Sequence, residues 1–247
     1  MQIDIVGAGR VGLALQAALT DHDVHLVRRD AGWEALADRV GAPLVLTPRN
    51  DDLAAALARV PPVRRPDLVF VQNGMIRPLL RAHGVAHATR GVLFFAVMRR
   101  GDAATPGGTS PFTGPHAASL AAALTGAGLP AAAVSPNAFA EVELEKLLWN
   151  SVFGLLGDAF DELVGVSAER DEVAALVDEL APFGEAELGV NVDHAAMVTR
   201  MRDYARSIPT FRAGLREWPW RNGWFVEAAG EAALPLHTRL VGRVPGR

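Results

Sequence analysis

The chain has 247 residues, half of them apolar and about a fifth charged, with no cysteine and a formal net charge of −4. This is the make-up of a globular protein with core enough for one large domain or two smaller ones. It excludes disulfides, thiolate-held metals and cysteine nucleophiles, and it gives no general basic field to attract nucleic acid. No stretch reaches the ~18 to 20 apolar residues of a spanning helix. Met1-Gln2-Ile3-Asp4 runs straight toward a strand with no basic leader, so a cytoplasmic protein without a membrane partner is expected. The histidines form no compact ligand pattern, so no metal is expected.

Residues 2–6 form a short β-run and are followed by Gly7-Ala8-Gly9-Arg10-Val11-Gly12 and then an apolar helical pattern over 13–19. In a G-x-G-x-x-G turn the first glycine allows the strand-to-helix turn and the second lets a pyrophosphate approach. The third allows close helix–strand packing, and the helix start holds the phosphates. Gly7, Gly9, Arg10 and Gly12 are therefore expected to bind a dinucleotide. A second strand at 24–27 ends in Arg28-Arg29, where an acidic residue would grip a ribose 2′-hydroxyl. Arginine suits a 2′-phosphate instead, which points to NADP, although Asp30 follows.

Further strands are predicted at 42–46, 67–71, 91–97 and 131–134, with helices at 51–59 and 117–124. Residues 101–114 read as a loop or hairpin edge. Strands alternating with helices imply a doubly wound parallel sheet, an α/β Rossmann domain. Gly7–Gly12, Arg29, Arg49 and Asn73 then fall at the carboxyl ends of strands, where ligands bind in that architecture.

From about residue 137 the strand signals stop. Helices are predicted over 137–160, 171–183, 193–206 and 220–233, giving an NADP-binding domain over 1–136 and an all-α substrate domain over 137–247. Of 24 basic residues one is lysine, Lys146, on the long helix. Arginine serves wherever a fixed positive charge suffices, whereas lysine can give up its proton when buried or crowded. Asn150 lies one turn on, and Gly154 continues the same face without bulk, as in a substrate pocket that leaves room for something to approach.

Lys146-Leu147-Leu148-Trp149-Asn150, the glycine loop, Arg29 and Gln72-Asn73-Gly74-Met75 together resemble the ketopantoate reductase (2-dehydropantoate 2-reductase) family. So do Ser207, Arg216-Glu217, Asn222-Gly223 and the Pro235–Leu240 stretch near the end. The resemblance implies an NADPH-dependent reductase of a 2-oxo acid, in pantothenate biosynthesis for the family itself, and a homodimer. It makes Lys146 the general acid and sets Glu217 near it as a second catalytic residue. Asn73 and Asn150 would bind substrate or nicotinamide ribose, Ser207 the substrate carboxylate, and Arg29 and Arg49 the 2′-phosphate. Gly154 stands where the family commonly has an asparagine, and Leu144 where it often has tryptophan. Another NAD(P)-dependent hydroxyacid dehydrogenase, or a non-catalytic NADP-binding redox sensor, remains an alternative at this stage.

Overall fold

A computed structural model describes residues 1–246. Strand β1 (Gln2–Val6) is enclosed from Ile3 onward, as a central parallel strand must be. It pairs in parallel with β2 (Asp23–Val27) on one side and β3 (Leu44–Leu46) on the other. Strand order therefore reverses at β1, which opens the ligand crevice of doubly wound sheets at the carboxyl ends of β1 and β3. Beyond β3 the sheet continues in parallel through β4 (Leu68–Phe70) and β5 (Thr89–Gly91). Strands β6 (Phe95–Ala96) and β7 (Thr105–Pro106) make a separate small hairpin. Then β8 (Ser110–Thr113) joins antiparallel to β5, and β9 (Ala131–Ala133) closes the edge in parallel with β8. Helices α1 (Arg10–Ala18), α2 (Leu53–Arg59), α3 (Arg77–Ala82) and α4 (Ala117–Gly126) connect them. Ile3, Ile5, Val45, Val69 and Phe112 of the sheet pack with Leu15, Leu120 and Leu124 in one core.

Two readings of this half need correction. The apolar run over 91–97 is not one strand: β5 ends at Gly91, and only Phe95–Ala96 pair again, in the hairpin. Residues 110–113 are an interior strand rather than a loop edge. Gly91 faces Phe112 in register, and a Cβ on Gly91 would lie 2.3 Å from the Phe112 ring, so the bare backbone at 91 makes room for the aromatic.

The sheet also encloses charge. Asp4 and Arg64 are fully buried, and Arg64 donates from Nη1 to Asp4 Oδ2 (2.9 Å), from Nε to Asp67 Oδ2 (2.8 Å) and to the carbonyls of Leu36 and Ala42. Arg39 adds a 2.6 Å bond to Asp4 Oδ1. Each buried charge has a fixed partner, which makes the arrangement tolerable.

The chain divides into two compact units: Met1–Gln72 with Ile76–Phe139, and everything from Ala140 onward with the short strap Asn73–Met75. The second unit is helical, as the fold class read from the sequence requires. Helix α5 (Pro136–Phe160) begins at a serine cap, Ala138 N–H donating to Ser135 Oγ. It is followed by α6 (Val164–Ser167), α7 (Glu172–Leu188), α8 (His194–Ser207), α9 (Asn222–Ala229) and α10 (Pro235–Val241). Leu144, Leu148, Leu155 and Phe153 of α5 form the core with Leu176, Leu180, Met197 and Phe225. Helix α7 runs past the predicted end at 183 to a left-handed Gly189 cap. Gly184, just past that predicted end, lies inside the helix and makes a contact: a Cβ there would meet Leu144 Cδ1 at 2.4 Å. The helix predicted over 220–233 ends at Ala229, and residues 231–233 are a separate 3₁₀ turn. Among the described residues no helix is long and apolar enough to cross a membrane.

Candidate functional site

The first unit carries a groove of about 830 Å³ at the switch point, lined by the glycine loop, Arg28, Arg29, Trp33, Arg49 and Arg59 among others. Its floor is built from backbone. Gly7 adopts φ +110°, and Thr47 Oγ1 donates to the carbonyls of Val6 (2.8 Å) and Gly7 (3.0 Å), pinning the loop to the end of β3. A Cβ at Gly12 would fall 1.9 Å from the Gly7 carbonyl oxygen, so α1 can start here only on glycine. Gly9 has nothing within 4 Å of where its Cβ would be, which is the clearance a pyrophosphate needs at the start of α1.

The groove's charges have different duties. Arg59 is committed to structure: it donates to the carbonyls of Arg29 (2.7 Å) and Ala31 (3.0 Å) and lies 4.4 Å over the Trp33 ring. Arg29 is exposed and paired with Asp52 at 3.0 Å. Arg28 and Arg49 are exposed, and neither guanidinium makes a hydrogen bond or ion pair among the described residues. Arg10 turns to the Val97 carbonyl at 3.4 Å, and Arg100 donates to the Ala8 carbonyl at 3.0 Å beside the glycine loop. Gln72 ties the ends of β3 and β4 together, donating to the carbonyls of Leu46 (2.8 Å) and Pro48 (3.1 Å).

The second unit carries the lysine. Lys146 is largely enclosed on α5, its Nζ 5.7 Å from the Trp149 ring and 5.8 Å from the ring of Tyr204, the only tyrosine in the chain. Burial, and then the nearby Arg221 charge, hold its ammonium down to about 8. Arg221 is itself enclosed. Burial lowers its pKa, the Glu217 carboxylate opposes that, and Arg216 adds to it. Its Nη2 donates to Glu217 Oε2 at 2.6 Å. Glu217 holds a left-handed backbone (φ 51°, ψ 46°), an uncommon state for a non-glycine residue.

The local chain path explains how these residues meet. Residues 213–215 lie along the C-terminal half of α5: Cβ atoms at Gly154 and Gly157 would each come within 2.8 Å of a carbonyl oxygen, of Gly214 and Ala213 respectively. Asp158 Oδ2 accepts from Leu215 N–H at 2.7 Å. This seam delivers Arg216, Glu217 and, after a 3₁₀ turn at Trp218–Trp220, Arg221. The space at Gly154 is thus taken by main chain rather than left for a ligand, which corrects the reading of a bulk-free pocket wall. The strap Asn73–Met75 seats on the same turn: Met75 N–H donates to the Trp220 carbonyl at 2.7 Å, and a Cβ on Gly74 (φ +88°) would collide with it. Asn73 thereby enters the second unit beside the turn that carries Arg221.

The structure brings Lys146, Asn150, Glu217 and the Asn73 strap into one unit. Ser207 is exposed at the end of α8, its hydroxyl donating back to the Tyr204 carbonyl at 2.7 Å. Tyr204, one turn earlier, is the α8 side chain that reaches Lys146. Sequence reasoning missed Tyr204 and Arg221. A lone tyrosine was as visible as a lone lysine, whereas one arginine among 23 carried no signal.

No family model matches the chain, and no curated protein matches it in sequence. Solved structures share its fold over nearly the whole chain. D-mandelate dehydrogenase in complex with NADH superposes with a TM-score of 0.75 at 18% identity, covering 99% of this chain and 97% of that one. The PanE/ApbA family ketopantoate reductase from Ralstonia eutropha JMP134 gives 0.72 at 20% identity, covering 98% of each chain. The dimeric ketopantoate reductase from Staphylococcus aureus gives 0.70 at 14%, again covering 98% of each. The fold is that of the ketopantoate reductase structures. In both the groove and the lysine cluster, it is the residues of this chain that bear on chemistry.

Proposed function

We propose that the protein is an NADPH-dependent reductase of 2-oxo acids in which Lys146 is the general acid. The observation that carries this reading is the chain's one lysine, enclosed beside Trp149, Tyr204 and Arg221 with its pKa lowered to about 8. Such a group is still mostly charged at neutral pH and is a stronger acid than an ordinary lysine. The likeness in fold to an NADH-bound dehydrogenase and to ketopantoate reductases supports the same reading.

The groove fits a dinucleotide on its own terms: an open Gly9, a glycine-tight turn into α1, and the unpaired Arg28 and Arg49 on the rim. Gly7, Gly9 and Gly12 would cradle the pyrophosphate, Arg28 and Arg49 would hold a 2′-phosphate, and Arg29 would join them if it leaves Asp52. A reduced nicotinamide bound there would supply hydride. Lys146 Nζ donates its proton to the carbonyl oxygen as negative charge builds on it, and the neutral amine left behind recovers a proton from solvent. Asn150 and Asn73 orient the substrate, and Tyr204, rather than Ser207, closes the α8 side. The protein acts as a homodimer, the state named for the Staphylococcus aureus enzyme.

The test is NADPH oxidation with ketopantoate and a panel of other 2-oxo acids, for wild type and Lys146→Met. Turnover of at least one acid is expected, with a loss of ~10² to 10⁴-fold in the variant while cofactor affinity holds. Cofactor binding without turnover of any acid would remove the reductase reading and favour a redox sensor.

A further inference from the structure

Arg221 is not explained by the roles assigned so far. Its side chain is 12% exposed, yet its one ion pair is with Glu217 through Nη2, and its Nε is enclosed with no hydrogen-bond acceptor among the described residues. Buried guanidinium N–H groups are ordinarily matched, because an unmet donor costs about 1 to 3 kcal/mol. Arg64 in the first unit shows the matched case, with four acceptors around a fully buried guanidinium. Arg221 has donors to spare. Its neighbours add to the imbalance: Lys146 and Arg216 repel it, and Glu217 is the carboxylate that opposes them.

Two polar groups beside Lys146 in the chain are short of acceptors in the same sense. On α5, Asn150 Nδ2 and Trp149 Nε1 are buried with no partner, within one turn of Lys146. Donors left over around a surplus of positive charge suit one kind of ligand by their chemistry: a small anion rich in acceptor oxygens. Glu217 fixes one edge of the guanidinium, and its left-handed backbone sets that edge at the mouth of the 3₁₀ turn. A planar carboxylate is the group that a guanidinium held at one edge can take on its remaining donors.

We infer that Arg221 is the carboxylate anchor of this site, binding the acid group of the substrate while Lys146 addresses its carbonyl oxygen. Arg221 is therefore a specificity-determining residue that selects 2-oxo acids over the corresponding amides and esters. This inference rests on the proposed function for its substrate, but not for its test. A purely structural Arg221, serving only to hold Glu217 in its strained turn, would show no preference for a charged ligand.

Binding of oxamate, an unreactive 2-oxo carboxylate mimic, is measured by calorimetry on the full chain with NADP present, alongside oxamide as its uncharged counterpart. Wild type, Arg221→Gln and Arg221→Lys are compared, with melting temperatures to establish folding. The inference expects wild type to prefer oxamate, Arg221→Gln to lose roughly 10- to 150-fold in oxamate affinity with oxamide unchanged, and Arg221→Lys to recover part of it. Equal oxamate binding by wild type and Arg221→Gln would overturn it, as would wild-type protein that does not bind oxamate at all. If Arg221→Gln does not fold, the lysine variant decides: full oxamate affinity in Arg221→Lys with an unchanged preference over oxamide would also overturn it. Oxamate binding that depends on Arg221 in a protein that reduces no 2-oxo acid would uphold the anchor and remove the reductase reading.

Discussion

The glycine-loop groove and the lysine cluster use charge in opposite ways. In the groove the positions are set by backbone, through Gly7, Gly12 and Thr47, and the arginines on the rim are exposed, Arg28 and Arg49 making no hydrogen bond or ion pair among the described residues. In the cluster Lys146 and Arg221 are enclosed, and their surroundings alter them: burial and then Arg221 lower Lys146, and Glu217 opposes the lowering that burial imposes on Arg221. A solvated charge can be exchanged with a local, modest effect, because water screens it. An enclosed charge cannot be removed without changing the groups around it. Under the proposed function, the first arrangement would recognise a ligand's phosphates, and the second would tune an acid.

The buried Arg64–Asp4–Asp67 network sharpens this contrast at its extreme, since it is enclosed and fully partnered. Arg64→Met leaves Asp4 and Asp67 buried without their shared cation and is expected to cost about 3 to 5 kcal/mol in a denaturant titration. A cost within that of an exposed pair would mean that water reaches Asp4 and that burial is not the relevant variable. At the groove, Arg28→Ala with Arg49→Ala is expected to weaken NADPH binding about tenfold per site, leaving NADH affinity and melting temperature nearly unchanged. Equal weakening of NADPH and NADH would show that these arginines act on the shared pyrophosphate rather than on a 2′-phosphate.

The contrast also explains what could be read from the sequence. β1, the glycine loop and α1 are contiguous, so strand period, turn chemistry and helix pattern coincide within 20 residues. The lone Lys146 stood out by composition, and its turn-mate Asn150 by spacing. The seam of residues 213–215 on Gly154 and Gly157 was not legible, because a helical glycine reads the same whether a ligand or another segment of chain occupies its open side. Ser110-Pro111-Phe112-Thr113 looked like loop because proline is rare inside a sheet, and its pairing with β5 on one side and β9 on the other makes it a strand. Tyr204 and Arg221 arrive at Lys146 from residues 58 and 75 positions away in the chain, beyond the reach of any local pattern.

The most direct measurement of the central claim is the pH dependence of kcat/KM for a reduced 2-oxo acid, which reports the free enzyme's ionisations. Lys146 must carry its proton to act as the acid, so the rate is expected to be level below about pH 8 and to fall tenfold per unit above it. Arg221→Gln removes a like charge and should move that midpoint upward, toward an ordinary lysine. A profile that stays level to pH 10 would contradict Lys146 as the proton donor, and a midpoint that does not rise in the Arg221 variant would contradict its tuning by Arg221.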